Sequence, residues 1–410
     1  MSSPARARAL LFSLLAGSTC AWSAQQRVDD ASEMAAQEQA YRNTINAIEA
    51  SHGAYAGGLP EQILSLGYTL QNQGRHQEAL ELFKRGVHLA RINDGLYSPQ
   101  QLPLLQGQIA SHIALGQYSA ADERQHYMYR VQVRSMEQGT LRAEALMQQA
   151  HWQYNAYHLE LGNAGFMRLM NMWDLYRMAL NDIIDREGDS SPALLIPLRG
   201  MLQAQFLIAD YQPDEDYGEA DDLGTRQKLS RFNAYRAQSY DKGSAVILAM
   251  HGIEQKQEEA QAETGEQVSQ QPGLASAKAL VMLGDWRFWN DQKKEALQAY
   301  EQARLELVER DDAQLQIDSI FGQPVALPNV DGVRRLPAVE DPAQGDILLE
   351  FGVTKRGKVV DLERVDDNED VNKALANRVM RKLRKTLFRP RFEEGEPVDT
   401  EKIVRAYEIE

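Results

Sequence analysis

The chain has 410 residues, a formal charge of −15 at pH 7 and one cysteine, Cys20. That length is ample for two or three cores, and the excess of acid disfavours nucleic acid and anionic membrane as bulk partners. With Cys20 inside a leader, the mature protein has no disulfide or thiolate metal site, and packing must supply its stability.

Arg6 and Arg8 precede an uncharged apolar stretch, Ala9 to Ala16, and then small residues up to Ala24. This is the layout of a secretory signal peptide. Cleavage after Ala21, Ser23 or Ala24 is open, and a mature chain is expected to start near Gln25. Losing Arg6 and Arg8 takes the formal charge from −15 to −17. Two alternatives stand beside cleavage. An uncleaved anchor needs about 20 apolar residues, and this run is shorter and interrupted by Gly17, Ser18 and Thr19. A lipoprotein would be attached at Cys20, but Gly17 stands where such a signal usually carries leucine. The expected location is the periplasm, with an inner-membrane anchor facing it as the alternative. No later segment approaches the length of a membrane span.

From Ala31 to about Asp311 the pattern is helical, rich in alanine, leucine, glutamine and glutamate, and a repeat is visible in it. The segment ILSLGYTLQNQGRHQEALELFKRGVHLAR places Leu66, Gly67, Gly74, Ala79, Phe83 and Gly86 at the offsets of a helix hairpin. A second copy, KALVMLGDWRFWNDQKKEALQAYEQARLEL, offers Leu283, Gly284, Ala296, Tyr300 and Ala303. Small residues let helix backbones approach, while Phe83 and Tyr300 fill the space to the next hairpin; several hairpins must stack to bury one apolar face. Both segments resemble tetratricopeptide repeats. A degenerate copy keeps Gly116 and Ala121 but has Gln125 where an aromatic is expected. Arg142 to Asp210, with Trp152, Trp173 and Leu175, matches only loosely.

The polar stretch Asp210 to Gly224, with Pro213, reads as a pause, and Glu254 to Gln271 as a frayed helix end or a loop. Pro324, Pro328, Pro337 and Pro342 mark a linker or extended strap. The expected domains are a signal peptide (1–24), a helical solenoid (25–311), a Pro-containing linker (312–345) and a final domain (346–410).

The final domain switches to period two. Ile347, Leu349, Phe351 and Val353 alternate as in a half-buried strand, Lys355 to Lys358 form a turn at Gly357, and a second strand covers Lys358 to Val365. Asn368 or Asp370 is expected to cap a helix with Val371, Leu375, Val379, Leu383 and Leu387 on its apolar face. A last strand runs from Lys402 to Ile409. The fold class is therefore mainly α, a tetratricopeptide-like solenoid followed by a small α+β domain of order β-β-α-β.

This tail resembles the C-terminal domain of TonB-type energy transducers in the strand ending Phe351 and Val353, the turn at Gly357, Phe388-Arg389-Pro390, then Gly395, Pro397 and Val398, and a closing strand with Arg405 and Tyr407. The resemblance covers roughly the last 65 residues. It implies a periplasmic docking module that accepts a segment of an outer-membrane transporter by strand addition. Carried to this chain, the contact strand would hold Lys402, Ile403, Val404, Arg405 and Tyr407; Phe388 and Pro390 read as packing and turn residues. The family's usual tyrosine-proline opening is absent, and where a transducer has an inner-membrane anchor and a long Pro-rich span this chain is expected to have a signal peptide and a helical solenoid.

Chemistry is sparse. His52, His76, His88, His112, His126, His151, His158 and His251 form no metal or triad signature, and no nucleophile elbow or phosphate loop occurs. His151 and His158 share a helix face two turns apart, about 10.5 Å by helical rise, too far to chelate one ion. Asp214, Asp216 and Gly218, followed by Glu219, Asp221 and Asp222, fall short of a calcium loop. Trp152, Trp173, Trp286 and Trp289 read as inter-repeat filling or as the lining of a groove. Arg378, Arg381, Lys382, Arg384 and Lys385 share one helix, either as a solvated face or as a site for an acidic partner or envelope polymer. The expectation is a periplasmic adaptor without cofactor or enzymatic activity, its repeats binding one protein and its tail docking another. The alternative is an accessory transducer for transport, retained at the inner membrane.

Overall fold

The computed structural model describes residues 19–162, 165–212, 223–264, 273–308 and 310–409, without 335, 337, 340, 342, 343 and 367–371. Most of the expected leader, the acidic loop from Asp214 to Asp222 and the cap candidates Asn368 and Asp370 lie outside these residues. The chain divides into two compact units, Met1–Met136 and Glu137–Glu410.

The first unit holds α1 (Thr19–His52), α2 (Leu59–Asn72), α3 (His76–Asp94), α4 (Gln101–Ala114) and α5 (Tyr118–Ser135), each packed on the next through α4 and α5. Ala79 and Phe83 are fully buried, as the repeat pattern requires. Phe83 of α3 lies against both Gly67 of α2 and Gly107 of α4. Gln71 on α2 donates to the Gly107 carbonyl (2.8 Å) and to Ser111 Oγ (2.7 Å), a polar tie across the same gap. Gln125, standing in an aromatic position, is buried too.

In the second unit α6 (Thr140–His158), α7 (Gly165–Glu187), α8 (Leu195–Asp210), α10 (Ser239–Thr264), α11 (Leu274–Trp289) and α12 (Lys293–Val308) pack in that order, while α9 (Leu223–Ala237) touches α7, α8 and α10 more lightly. Helix α10 continues to Thr264, through more than half of the stretch read as a frayed helix end or a loop. One sequence expectation is corrected here. Pro192–Asp210 is long and apolar enough to cross a membrane by length and composition, yet 67% of its apolar window is buried inside the protein. Its two-sided apolar character comes from packing against α7 and α10 together.

Four hairpins close in the same way. After α2, α4, α6 and α11, the residues Gly74, Gly116, Glu160 and Asp291 adopt positive φ (74°, 69°, 52° and 61°). The next residue's N–H reaches back to a carbonyl in the last helical turn: Arg75 to Leu70, Gln117 to His112, Leu161 to Ala156, and Gln292 to Arg287, all at 2.8–2.9 Å. This is the left-handed cap that satisfies orphan helix carbonyls and for which glycine is preferred. Glu160 holds it at a steric cost, so Glu160→Gly is expected to raise stability by roughly 1 kcal/mol, read as an upward shift of the urea midpoint; an unchanged or lower midpoint would count against the argument.

The described part of 312–345 includes a helix and a strand. Helix α13 (Ala313–Phe321) packs on α12, and β1 (Val325–Leu327) pairs antiparallel with β4 (Leu387–Arg389). Farther on, β2 (Ile347–Val353) lies between β3 (Val359–Arg364) and β7 (Thr400–Tyr407) in an antiparallel sheet, and β5 (Arg391–Glu393) and β6 (Glu396–Val398) form a separate hairpin. Helix α14 (Lys373–Lys385) covers the sheet. Ile347, Leu349, Phe351 and Val353 are all buried, as alternation predicts. The helix start is corrected to Asn372, whose side chain accepts from the Ala374 N–H (2.8 Å). Its apolar face is corrected as well: Ala376, Val379 and Leu383 are buried and Leu375 is exposed. A spacing of four drifts by about 40° per step around a 3.6-residue helix, so a strict four-residue stripe leaves the core.

Candidate protein-docking site

The sequence motif Phe388-Arg389-Pro390 sits where the sheet region meets the helices of the same unit. Strand alternation sends its two side chains opposite ways. Phe388 enters the core formed by Phe351, Val379, Leu383 and Tyr407. Arg389, 4% exposed, turns to the helices: Nη1 donates to both carboxylate oxygens of Asp285 on α11 (3.0 and 2.9 Å), and Nη2 to the Ile320 carbonyl at the end of α13 (3.1 Å). Tyr300 Oη on α12 donates to the same carboxylate at 2.8 Å. Burial raises the Asp285 carboxyl pKa, opposed by the Arg389 charge and the hydrogen bonds from Tyr300 and Arg389; burial and the neighbouring carboxylate push the Tyr300 phenol well above its usual range. Sequence reasoning assigned Arg389 and Asp285 no part. The available signal was Asp285 itself, the one acid in the largely apolar run ALVMLGDWRFW, where Arg287 is the only other charge.

Beside this junction opens a cleft of about 1140 Å³ between α12, α13 and the β5–β6 hairpin. Tyr300, Phe321 and Phe392 meet edge to face with centroids 5.2–5.9 Å apart and supply aromatic lining. The hairpin tip, Glu394 and Gly395, has two consecutive positive φ values (50° and 87°), as a two-residue type I′ connection demands. The lining includes Glu301, Asp318, Glu393, Glu394 and Glu396 against Arg304 and Arg391, so acid predominates. Arg304 and Arg391 are themselves paired with Glu301 and Glu393.

The residues expected on the contact strand divide by period two. Ile403 and Tyr407 are core residues, and burial holds the Tyr407 phenol at about 12. Arg405 donates to the Pro324 carbonyl (2.5 Å) and lies 5.7 Å over the Phe388 ring. The side chains of these three are structural, and any contact they make with a partner strand would be through the main chain. Lys402 and Val404 face outward, Lys402 with its ammonium 3.1 Å from Glu350 and Val404 53% exposed. Strand β7 is an edge of its sheet. Ala406 gives its carbonyl to the Val339 N–H (2.8 Å) on the side away from β2. By alternation the Val404 main-chain groups turn to that same side. Arg378, Arg381, Lys382, Arg384 and Lys385 are all exposed on α14, apart from the edge.

Trp152, Trp173 and Trp286 are buried filling, with Trp286 Nε1 donating to the Tyr240 carbonyl (3.0 Å); Trp289 is half-buried and stacks on Trp286. Among the described residues no group of three or more His, Cys, Asp or Glu is placed to hold a metal.

The chain is thus a mainly α protein of tetratricopeptide-like helical hairpins followed by a small α+β region. No family model matches it, and no curated protein does. Among solved structures it is similar to kinesin-light-chain-type, nearly identical TPR-like repeats from Podosopora anserina, at 16% identity over 61% of this chain and 95% of that one, and to a single-substitution variant of the same protein at 16% over 62% and 95%; the TM-score is 0.35 in both cases. It is also similar to BtubC (BKLC) from P. vanneervenii, at 12% identity over 67% of this chain and 91% of that one, again with a TM-score of 0.35.

Proposed function

We propose that this chain is a periplasmic protein-binding adaptor, exported by its N-terminal leader, in which the helical hairpins engage one protein and the α+β region, acting like a TonB-type docking domain, engages another by strand addition. The observation that carries this reading is the edge of β7 at Val404, which among the described residues no strand pairs on the side away from β2, beyond the single Val339–Ala406 bridge. Unpaired main-chain groups on an edge strand recruit a partner strand regardless of its side chains. Val404 itself is apolar and exposed, and the charge on that face of the strand comes from Lys402 two residues before it. An outer-membrane transporter is the partner that the family resemblance favours.

In-cell crosslinking with mass spectrometry tests it on the full chain and on Val404→Pro, which removes an outward N–H without breaking the ladder to β2. Transporter peptides recovered with the unmodified chain are expected to drop about tenfold or more with the proline variant. Val404→Lys, which keeps the main chain intact, controls for folding and is expected to retain partial recovery. Equal recovery from both variants, with unchanged circular dichroism, would remove β7 as the docking strand. Fractionation of the same cells tests the location: a soluble chain beginning near Gln25 supports the adaptor, and a membrane-bound chain retaining Met1 replaces it with an inner-membrane accessory transducer.

A further inference from the structure

Two side chains on different helices reach for the same short stretch of main chain. Tyr154 Oη on α6 donates to the Gly332 carbonyl at 2.8 Å. Gln203 Nε2 on α8 donates to the Asp331 carbonyl at 3.2 Å. Both acceptors are main-chain atoms, so the pair reads an extended or turning backbone and not a side-chain sequence. Gly332 is the exception that fits closely. Its φ is +75°, a backbone shape that strains any residue with a Cβ, and a Cβ there would lie 2.8 Å from Tyr154 Oη and nearer still to Gln203 Nε2, so both donor tips would have to move aside. The stretch folds on itself, with the Val333 N–H donating to Val330 (3.1 Å) and Arg334 3.3 Å from Asp331.

Beside it lies a cavity of about 600 Å³. Its walls come from α7, α8, α10 and α11, with Tyr176, Leu202, Met250 and Met282 as the apolar part, and from the strap itself through Asn329, Val330, Asp331 and Arg334. The strap therefore occupies only part of a concavity. The methionines make the remainder adaptable to differently shaped side chains.

We propose that this face of the second unit is a binding groove for a glycine-containing polypeptide segment, and that residues 329–334 occupy it as an intramolecular ligand. The inference deepens the protein-binding reading, since it names which helices receive the partner and what stands in the way. A tethered segment has an effective concentration on the order of millimolar. A free peptide at micromolar concentration therefore does not enter while the strap is seated, and a partner must displace it or arrive after its release.

The test uses the purified full chain and a labelled synthetic peptide of residues 326–334, with hydrogen exchange reporting on strap release. Gly332→Ala is expected to release the strap, raising exchange at Val330, Val333 and Arg334, and to bind the free peptide at least about tenfold more tightly than the unmodified chain. Adding Tyr154→Phe and Gln203→Ala is expected to abolish that binding while the strap stays released. The Tyr154→Phe/Gln203→Ala pair alone, which introduces no collision, is expected to release the strap without creating peptide binding. The proposal is overturned if the strap is released in Gly332→Ala and the peptide still does not bind, or if binding survives loss of both donors. It is overturned equally if the strap remains protected in all three variants. No envelope partner enters the assay, so its failure is separate from failure of docking at β7.

Discussion

Replacing Arg389 with methionine is expected to destabilise the second unit by about 3–5 kcal/mol, because it strands the Asp285 carboxylate in a buried site. Among the described residues the guanidinium is the only cation that donates to that carboxylate, and the Ile320 carbonyl loses its donor as well. The magnitude reflects the group left behind more than the strength of the pair. Removing both charges with apolar residues of similar volume is often nearly neutral. A combined Arg389→Met, Asp285→Leu and Tyr300→Phe variant should accordingly recover most of the loss; Tyr300 is included because its hydroxyl would otherwise be orphaned at about 1–3 kcal/mol. Urea denaturation followed by hydrogen exchange at α11 and β4 reads both outcomes, and a single variant costing less than its combined partner would refute the account.

Acid should partly repair the Arg389→Met variant. Burial raises the Asp285 carboxyl pKa even with arginine present, and removing the arginine takes away a force that lowered it. The folded state then holds a proton that the unfolded state has released, so its stability is greatest on the acid side and falls as pH rises through the folded pKa. The deficit is expected to be smaller near pH 5 than at pH 7.5. A deficit that grows on acidification would show that the carboxyl is held ionised.

The second large effect belongs to Phe83. Its removal as Phe83→Ala is expected to cost about 3–5 kcal/mol, since the ring is fully buried and supports two helices at once. Gly67→Ala approaches the same contact from the other side. An alanine within a helix normally gains about 1 kcal/mol over glycine. Here its Cβ would fall inside contact distance of the Phe83 ring, which the Gly107 backbone blocks from retreating, because a Cβ on Gly107 would lie only 2.5 Å from Cζ. Overpacking of this kind costs roughly 1–3 kcal/mol, so the net change should be destabilising. Phe83→Leu should relieve it, making the double variant less than additive. Exchange at α2, α3 and α4 localises the effect, and a stabilised Gly67→Ala would show that the ring is free to move.

Of these two sites, the one at Phe83 was readable in the sequence. Ala79, Phe83, Ala296 and Tyr300 announce themselves because the repeat places small and large residues at local offsets. The α+β tail was readable for the same reason, in the alternation from Ile347 to Val353. Hairpin closure was half readable: Gly74 and Gly116 signal it, whereas Glu160 and Asp291 take the same backbone shape without the residue that usually betrays it. The contacts that join distant stretches left little local trace. Arg389 and Asp285 are 104 residues apart and Tyr154 and Gly332 are 178 apart, and apart from Asp285, an acid in a largely apolar run, each looks ordinary among its neighbours. On β7 the period was visible, but the edge position depends on which strands flank β2, which pairing decides.

Arg389 also bears on where this protein can be cut. By pattern, the last 65 or so residues resemble a free-standing module. Excised, they would lose β1, the partner of β4, and would expose a guanidinium whose counter-charge stayed behind on α11. A portable unit for fusion or transplantation would have to begin before Leu274, carrying α11 to α13 with it.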